Sequence, residues 1–268
     1  MVPALADITR RAIVALSLLA LAACAARTPA RPAGDAAPDP TAIEAFAAAT
    51  RACQGLRSLT AELALSGRAG DERIRGRVVA GLESGGAVRL EGIAPFGAPV
   101  FILAGRGEQA TLLLPRDHRV LATAGVAAVL ERLTGLALDA DDLRAILSGC
   151  LAEAPKPTDG RRWKSGWQAV TLAADRVAYL RAVSGQPVVA AADYGEWRID
   201  YAEHAGGFPR VVRVRRATGA STDITARVSQ LSTNVPIDPR AFTIDVPPGT
   251  APMTLDELRS VAPLVPKT

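Results

Sequence analysis

The chain has 268 residues, 49% of them hydrophobic and 4% aromatic, with a formal net charge of +4. Its 31 Lys and Arg residues are spread among apolar neighbours, so they do not build the basic face that a nucleic-acid partner requires. Two histidines, three cysteines and the absence of any CxxC, HExxH, GxSxG or phosphate-loop pattern argue against metal chemistry, nucleophilic catalysis and nucleotide binding.

The first 23 residues read as an export signal. Arg10 and Arg11 form a positive start, and Ala12 to Ala20 form an apolar run too short for a permanent membrane span. Leu21-Ala22-Ala23-Cys24 then resembles the lipobox of bacterial lipoproteins. That resemblance implies cleavage before Cys24 and acylation of Cys24, which makes the membrane a partner through a lipid anchor. Ala25 stands where an inner-membrane retention aspartate would be, implying an outer-membrane address facing the periplasm. The plainer alternative is an ordinary secretory signal with an incidental cysteine. Residues 24–40, rich in Ala, Pro and Arg, are expected to be the acylated cysteine and a flexible tether. About 225 residues remain, enough for one domain with a sizeable core.

Thr41 and Glu44 have capping-box spacing and predict a helix running to about Leu56, with Ile43, Phe46, Ala47 and Thr50 inward. From Leu59 the period becomes two. Leu59, Ala61, Leu63 and Leu65 alternate with polar residues, then Ile74, Gly76, Val78 and Ala80 alternate with arginines. "AVRLEGIA", "PVFILAG", "QATLLLP" and "HRVLAT" complete a first antiparallel meander. Val126, Val129, Leu130 and Leu133 return to helical spacing, and after Gly135 a second helix capped by Asp139 carries Leu143, Ile146, Leu147 and Cys150. "APKPTDGRRW" reads as turn-rich. Six strands then follow between Trp167 and Ser232, and "AFTIDVP" is expected as a last one.

This pattern predicts a mainly β, α+β protein: an antiparallel half-open barrel of about a dozen strands, with an N-terminal helix and a mid-chain helical lid. The barrel domain is bounded at 41–250, with 251–268 as a C-terminal extension. With Cys24 assigned to the lipobox, Cys53 and Cys150 remain in an oxidising compartment. They either form a disulfide or stay as two separate buried thiols.

Chemistry-bearing residues are sparse. His118 and His204 lie in charged, loop-like settings and read as surface residues. Asp139, Asp141 and Asp142 lack the glycine and distal glutamate of a calcium loop, and helix capping explains them more simply. No catalytic residue, metal or cofactor is assigned, and the chain is expected not to be an enzyme.

Two stretches resemble LolA/LolB-type lipoprotein-localisation factors of the bacterial envelope. "LTGLALDADDLRAILSGC" is similar to the LolB-like segment that ends in a W-L-x-G helix, with Leu136, Leu143, Ile146, Leu147 and Gly149 matching and the tryptophan absent. "EWRIDYAEHAGGFPRVVRVRR" is similar to that family's W-x-v-x-Y and y-P strand pair through Trp197, Tyr201, Phe208 and Pro209. The likeness covers about residues 40–247. It implies a half-barrel whose hollow binds acyl chains of lipids or lipoproteins, received from a periplasmic carrier protein or passed onward at the outer membrane. It also implies an apolar residue protruding between the third and fourth strands, where Phe96 lies in "APFGAP".

The apolar groove is assigned to Leu63, Leu65, Val78, Leu90, Ile102 and Leu113, and the lid to Val129, Leu133, Ile146 and Leu147. The same residues would serve equally to fill a closed core. For Phe96 the competing role is a plug folded back into the barrel end. For the whole chain the competing roles are an assembly scaffold and a glycolipid-binding module.

Overall fold

The computed structural model describes residues 30–261, apart from 95, 97, 98, 152–156, 174 and 219–221. The export signal, Cys24 and the start of the tether lie outside the described residues.

Fifteen strands form one sheet: β1 Ala37–Pro38, β2 Ser58–Ala69, β3 Glu72–Glu83, β4 Ala87–Ile93, β5 Phe101–Arg106, β6 Gln109–Leu114, β7 Arg119–Ala124, β8 Asp159–Arg162, β9 Gln168–Ala173, β10 Arg176–Val183, β11 Gln186–Tyr194, β12 Trp197–Ala202, β13 Val211–Arg216, β14 Thr222–Thr233 and β15 Ala251–Pro252. The helices are α1 Thr41–Ala49, α2 Val126–Thr134, α3 Ala140–Ser148 and α4 Leu255–Val261. Strands β2 to β7 make one antiparallel meander and β8 to β14 another, and β14 pairs with β2 to join them. Strands β1 and β15 are the two free edges, so the sheet is an open half-barrel.

The periodicity of the sequence accounts for this directly. Along β2, Leu59, Ala61 and Leu63 are buried while their neighbours turn toward water, and β3 repeats the pattern with Ile74, Val78, Ala80 and Leu82. These side chains join one continuous core with the helices, of which α2 and α3 insert between β7 and β8 in the chain. Gly135 and Gly149 end α2 and α3 in the left-handed conformation, each at φ +72°. Only glycine adopts that backbone without a Cβ penalty, so each helix stops sharply and the pair forms a compact lid. Asp139 caps α3 by accepting from the Asp142 amide at 2.7 Å.

Several expectations are corrected. Thr41 and Glu44 form no capping box. Instead Asp39 accepts from the Thr41 hydroxyl at 2.6 Å and from Arg162 at 2.7 Å. Hydrogen bonds from Thr41, then Gln168 and Arg162, hold the Asp39 carboxyl well below the usual carboxylate range. Helix α1 ends at Ala49 rather than Leu56 and continues as a short 3-10 turn over Arg51–Cys53. Its buried residues are Ala42 and Phe46, while Ala47 faces water, because the helix lies across β8 to β11.

The tether is also shorter than its composition suggests. Arg31 pairs with Asp193 and donates to the carbonyls of Ala192 at 2.6 Å and Ile199 at 3.1 Å. Trp163 donates to the Gly34 carbonyl at 3.0 Å, and β1 pairs with β8. Strand β8 itself falls in the stretch read as a turn, since "DGRR" carries no apolar alternation and is held by its pairing to β9 and β1.

At the other end, "AFTIDVP" is not a strand. Pro239–Phe242 forms a 3-10 turn capped by Asp238, packed against β4 and β5. The segment read as an extension after residue 250 joins the same body: β15 pairs parallel to β7, and Met253 and Leu258 enter the core.

Candidate functional site

Between the sheet and the lid lies an apolar cavity of about 90 Å³. Its floor is built by β2, β3, β4, β13 and β14, through Leu63, Leu65, Val78, Leu90, Val212 and Ala226. Its roof comes from the helices and the turn between them, through Leu130, Leu133, Leu136, Leu143, Ile146 and Leu147. Thr134 is the one lining residue with a polar side chain, and its hydroxyl is spent on the Leu130 carbonyl at 2.7 Å. The walls therefore offer dispersion and dry surface, with no group placed for proton transfer or metal binding.

The sequence-assigned groove residues divide into two sets. Leu63, Leu65, Val78, Leu90, Leu133, Ile146 and Leu147 line the cavity. Val129 is fully buried in the core behind it. Ile102 and Leu113 are corrected. They pair with each other, and Ile102 opposes Glu91, whereas Leu90 opposes Leu103. Residues directly opposite in a sheet share a face, so Ile102 and Leu113 look out from the side opposite the cavity, and Phe101 lines it in their place. "FILAG" is apolar on both sides because the Pro239–Phe242 turn packs on the outer face of β4 and β5, and in "TLLL" Leu113 is buried although it lies on the outer face. Alternation along these strands carried no parity signal.

The two helices of the lid are held differently. The Cys53–Cys150 disulfide, with Cα atoms 5.5 Å apart, fastens the end of α3 to the segment after α1. Arg144, only 1% exposed, donates from α3 to the Leu56 carbonyl at 3.2 Å and pairs with Asp141 at 3.2 Å. Tyr194 donates to Asp142, and Arg176 lies 4.1 Å over the Tyr194 ring. Burial and the Asp142 carboxylate together push the Tyr194 hydroxyl far above its ordinary range. By contrast α2 meets β6 and α4, with an Arg132–Asp256 pair whose carboxylate is 88% exposed. Such exposed pairs contribute about 0–1 kcal/mol.

The two segments that resemble LolB-like motifs meet in space. A Cβ at Gly149 would touch the Pro209 ring at 3.4 Å, and Phe208 packs with Cys150 and Leu56 in a small second cluster. Tyr201 is buried in the main core, and desolvation raises its hydroxyl pKa. Outside the cavity, Asp139, Asp141 and Asp142 are taken up by the cap, Arg144 and Tyr194 respectively. His204 is half-buried rather than freely exposed, with Nε2 2.9 Å from the Val189 carbonyl. Phe96 is 88% exposed, so it is not a plug, and Arg116 donates to its carbonyl at 2.6 Å.

No family model matches the sequence, and no curated protein does. Solved structures do. A LolA superfamily protein of Nitrosomonas europaea is 12% identical, with 78% of this chain and 98% of that one covered at a TM-score of 0.46. A DUF1329 family protein of Desulfovibrio piger is 13% identical, with 75% and 97% covered at 0.43. The lipoprotein LppX of Mycobacterium tuberculosis is 11% identical, with 75% and 98% covered at 0.32.

Proposed function

We propose that this protein is an envelope lipoprotein that holds an acyl chain of a lipid or lipoprotein between its sheet and its lid, acting as a carrier or acceptor at the outer membrane. The single observation that carries this reading is the cavity: an apolar space lined by leucines, valines, isoleucines, Ala226 and Phe101, with Thr134 the one polar side chain, roofed by two short amphipathic helices. A scaffold has no use for it, because an empty apolar void of about 90 Å³ costs about 2 kcal/mol at ~24 cal/mol per Å³. The same dry lining, with no polar group free to orient a substrate, supports binding rather than catalysis. Nor does it favour the glycolipid reading, since a sugar headgroup would need polar partners inside.

The cavity is smaller than the ~300 Å³ at which ligand sites usually begin. Accepting a chain therefore requires the lid to move. Helix α3 is stapled by a disulfide, a buried arginine and a tyrosine, so the movement belongs to α2 and the turn through Leu138. Phe96 would then meet the bilayer during transfer, and Cys24 would hold the body there.

The test is native mass spectrometry of the chain carrying Cys24→Ser, purified from an envelope extract, followed by displacement of a fluorescent fatty acid. A copurifying or added acyl chain should bind with a stoichiometry of one. A protein that takes up no lipid, lipopeptide or fatty acid refutes the reading.

A further inference from the structure

The inner face of the sheet changes character along its strands. One row across it holds Val212, Ala226 and Leu65, which pair in register on β13, β14 and β2, and all three line the apolar cavity. The next row, about 7 Å along at ~3.3 Å per residue, holds Val214, Ile224, Gly67 and Ile74. The row after that holds Thr222, Ala69 and Glu72. These three line a second cleft, of about 650 Å³, together with Arg216, whose partner across β12 is the inward Trp197. Along β13, β14 and β3 the inner face thus passes from Val214, Ile224 and Ile74 to Arg216, Thr222 and Glu72 in one step.

The end of α2 divides the two spaces. Leu133 touches both, while Thr134 lines the cavity and Gly135 the cleft. Gly135 is pressed against the polar row: a Cβ there would stand 3.2 Å from the Thr222 hydroxyl and 3.4 Å from the Ala69 methyl. The partition is therefore the last turn of α2, in the less firmly held half of the lid. An acyl chain whose head points this way meets the cleft as soon as that turn withdraws. Apolar space leading into polar space, with a thin divider between them, is the shape of an amphiphile.

Charge decides which head the cleft takes. Asp71, Glu72 and Glu131 line it and are exposed, and none of their carboxylates is in an ion pair among the described residues. The two arginines of the lining are already engaged. Arg216 feels the Glu131 charge but donates to Glu196 at 2.8 and 3.0 Å, and Arg132 pairs with Asp256 at 2.7 Å. No three acidic or histidine side chains among the described residues are placed to hold a metal ion. The surplus charge is negative and spread out, which suits an ammonium group with its three rotatable N–H donors. A head carrying only a phosphate would meet like charge.

We infer that this cleft is a head-group subsite that selects amphiphiles bearing an ammonium group next to the acyl chain. The inference rests on the proposed binding of an acyl chain in the cavity. Glu131 is the chief selecting residue, since it lines the cleft from the moving helix, two residues before Leu133.

The experiment uses the full chain carrying Cys24→Ser and displacement of a fluorescent fatty acid at low salt. The competitors share one palmitoyl chain: lysophosphatidylethanolamine, lysophosphatidylglycerol and monopalmitoylglycerol, each below its micelle threshold. The ethanolamine lipid should bind about five-fold tighter than the phosphatidylglycerol analogue, the most that one exposed ion pair supports, and ~0.5 M salt should shrink the difference. Glu131→Lys should reverse the order, with monopalmitoylglycerol affinity within about two-fold of the parent. Glu72→Lys, on the sheet side of the cleft, should shift it the same way. Palmitoylated Cys-Lys and Cys-Ser peptides assign the source of the ammonium: a lipoprotein's lysine if only the peptides are discriminated, an aminolipid if only the lysolipids are. Equal binding within both pairs, or a preference that neither lysine variant changes, overturns the subsite and leaves the acyl reading standing. A chain that takes up none of the competitors and no fatty acid refutes the acyl reading itself.

Discussion

The cavity makes a quantitative demand that one substitution can test. Ala226 lies on β14 with its methyl in the cavity wall, opposite Val212 on one side and Leu65 on the other. Ala226→Ile adds three carbons to that space and suits a strand. Filling the void recovers its cost, about 2 kcal/mol for about 90 Å³ at ~24 cal/mol per Å³. Three buried carbons at ~0.8 kcal/mol each give a similar figure, about 2.4 kcal/mol. Imperfect fit subtracts from both, since overpacked side chains cost about 1–3 kcal/mol when they leave their rotamers. The expected result is a protein up to about 2 kcal/mol more stable in urea that binds fatty acid more weakly. Stability and binding should move in opposite directions, which a merely structural void would not produce. If Ala226→Ile binds fatty acid as the parent does, the chain does not sit in this cavity. If it is destabilised by several kcal/mol as well, the space is not available even to three carbons.

Phe96→Glu should leave the urea midpoint nearly unchanged, within about 0.5 kcal/mol, because the ring is almost wholly in water; transfer of cargo to vesicles should slow, and unfolding would show a core role instead. Replacing Cys53 and Cys150 together by Ala opens a loop of 97 residues and should cost about 2–4 kcal/mol, measured by denaturation with and without reductant. His204 gives a pH dependence. Burial holds its imidazole below the ordinary 6.5, partly offset by the Val189 carbonyl, so the unfolded chain takes up the proton first. Its contribution is complete above pH ~6.5 and is lost as pH falls from there through the lower folded-state value, and His204→Gln should flatten the stability difference between pH 7.5 and about 5.5.

The sequence showed most clearly what a single periodicity can carry. One-sided alternation in β2 and β3 put Leu63, Leu65 and Val78 on the face that lines the cavity, and i, i+3, i+4 spacing with terminal glycines bounded the lid. The readings failed where two surfaces compete for one strand or where a long-range polar contact decides. Ile102 and Leu113 sit in strands covered on both faces, so hydrophobicity could not say which face held the cavity. Arg31 looked like tether because its partners, Asp193 and Asp200, lie more than 160 residues away. Arg144 is among the most buried side chains described, and the carbonyl it meets, Leu56, lies 88 residues away. Strand β8 has no pattern of its own and is held by its pairing to β9 and β1.

The unequal fastening of the lid bears on how a carrier could work without an energy source. Withdrawing α2 and its turn would bare Val126, Val129, Leu130, Leu133, Leu136 and Leu138, at about 1.5–3 kcal/mol each, or about 9–18 kcal/mol in all. A bound chain of sixteen carbons buries its own methylenes for about 0.8 kcal/mol each, near 13 kcal/mol, and covers those leucines again. The open empty state is therefore costly and rarely populated, while the open loaded state lies within a few kcal/mol of the closed one. Such a balance lets cargo pass to whichever neighbour binds it slightly better. In the proposed exchange the disulfide and Arg144 would keep α3 in place, so that a cycle would risk one helix of the lid and not the whole core.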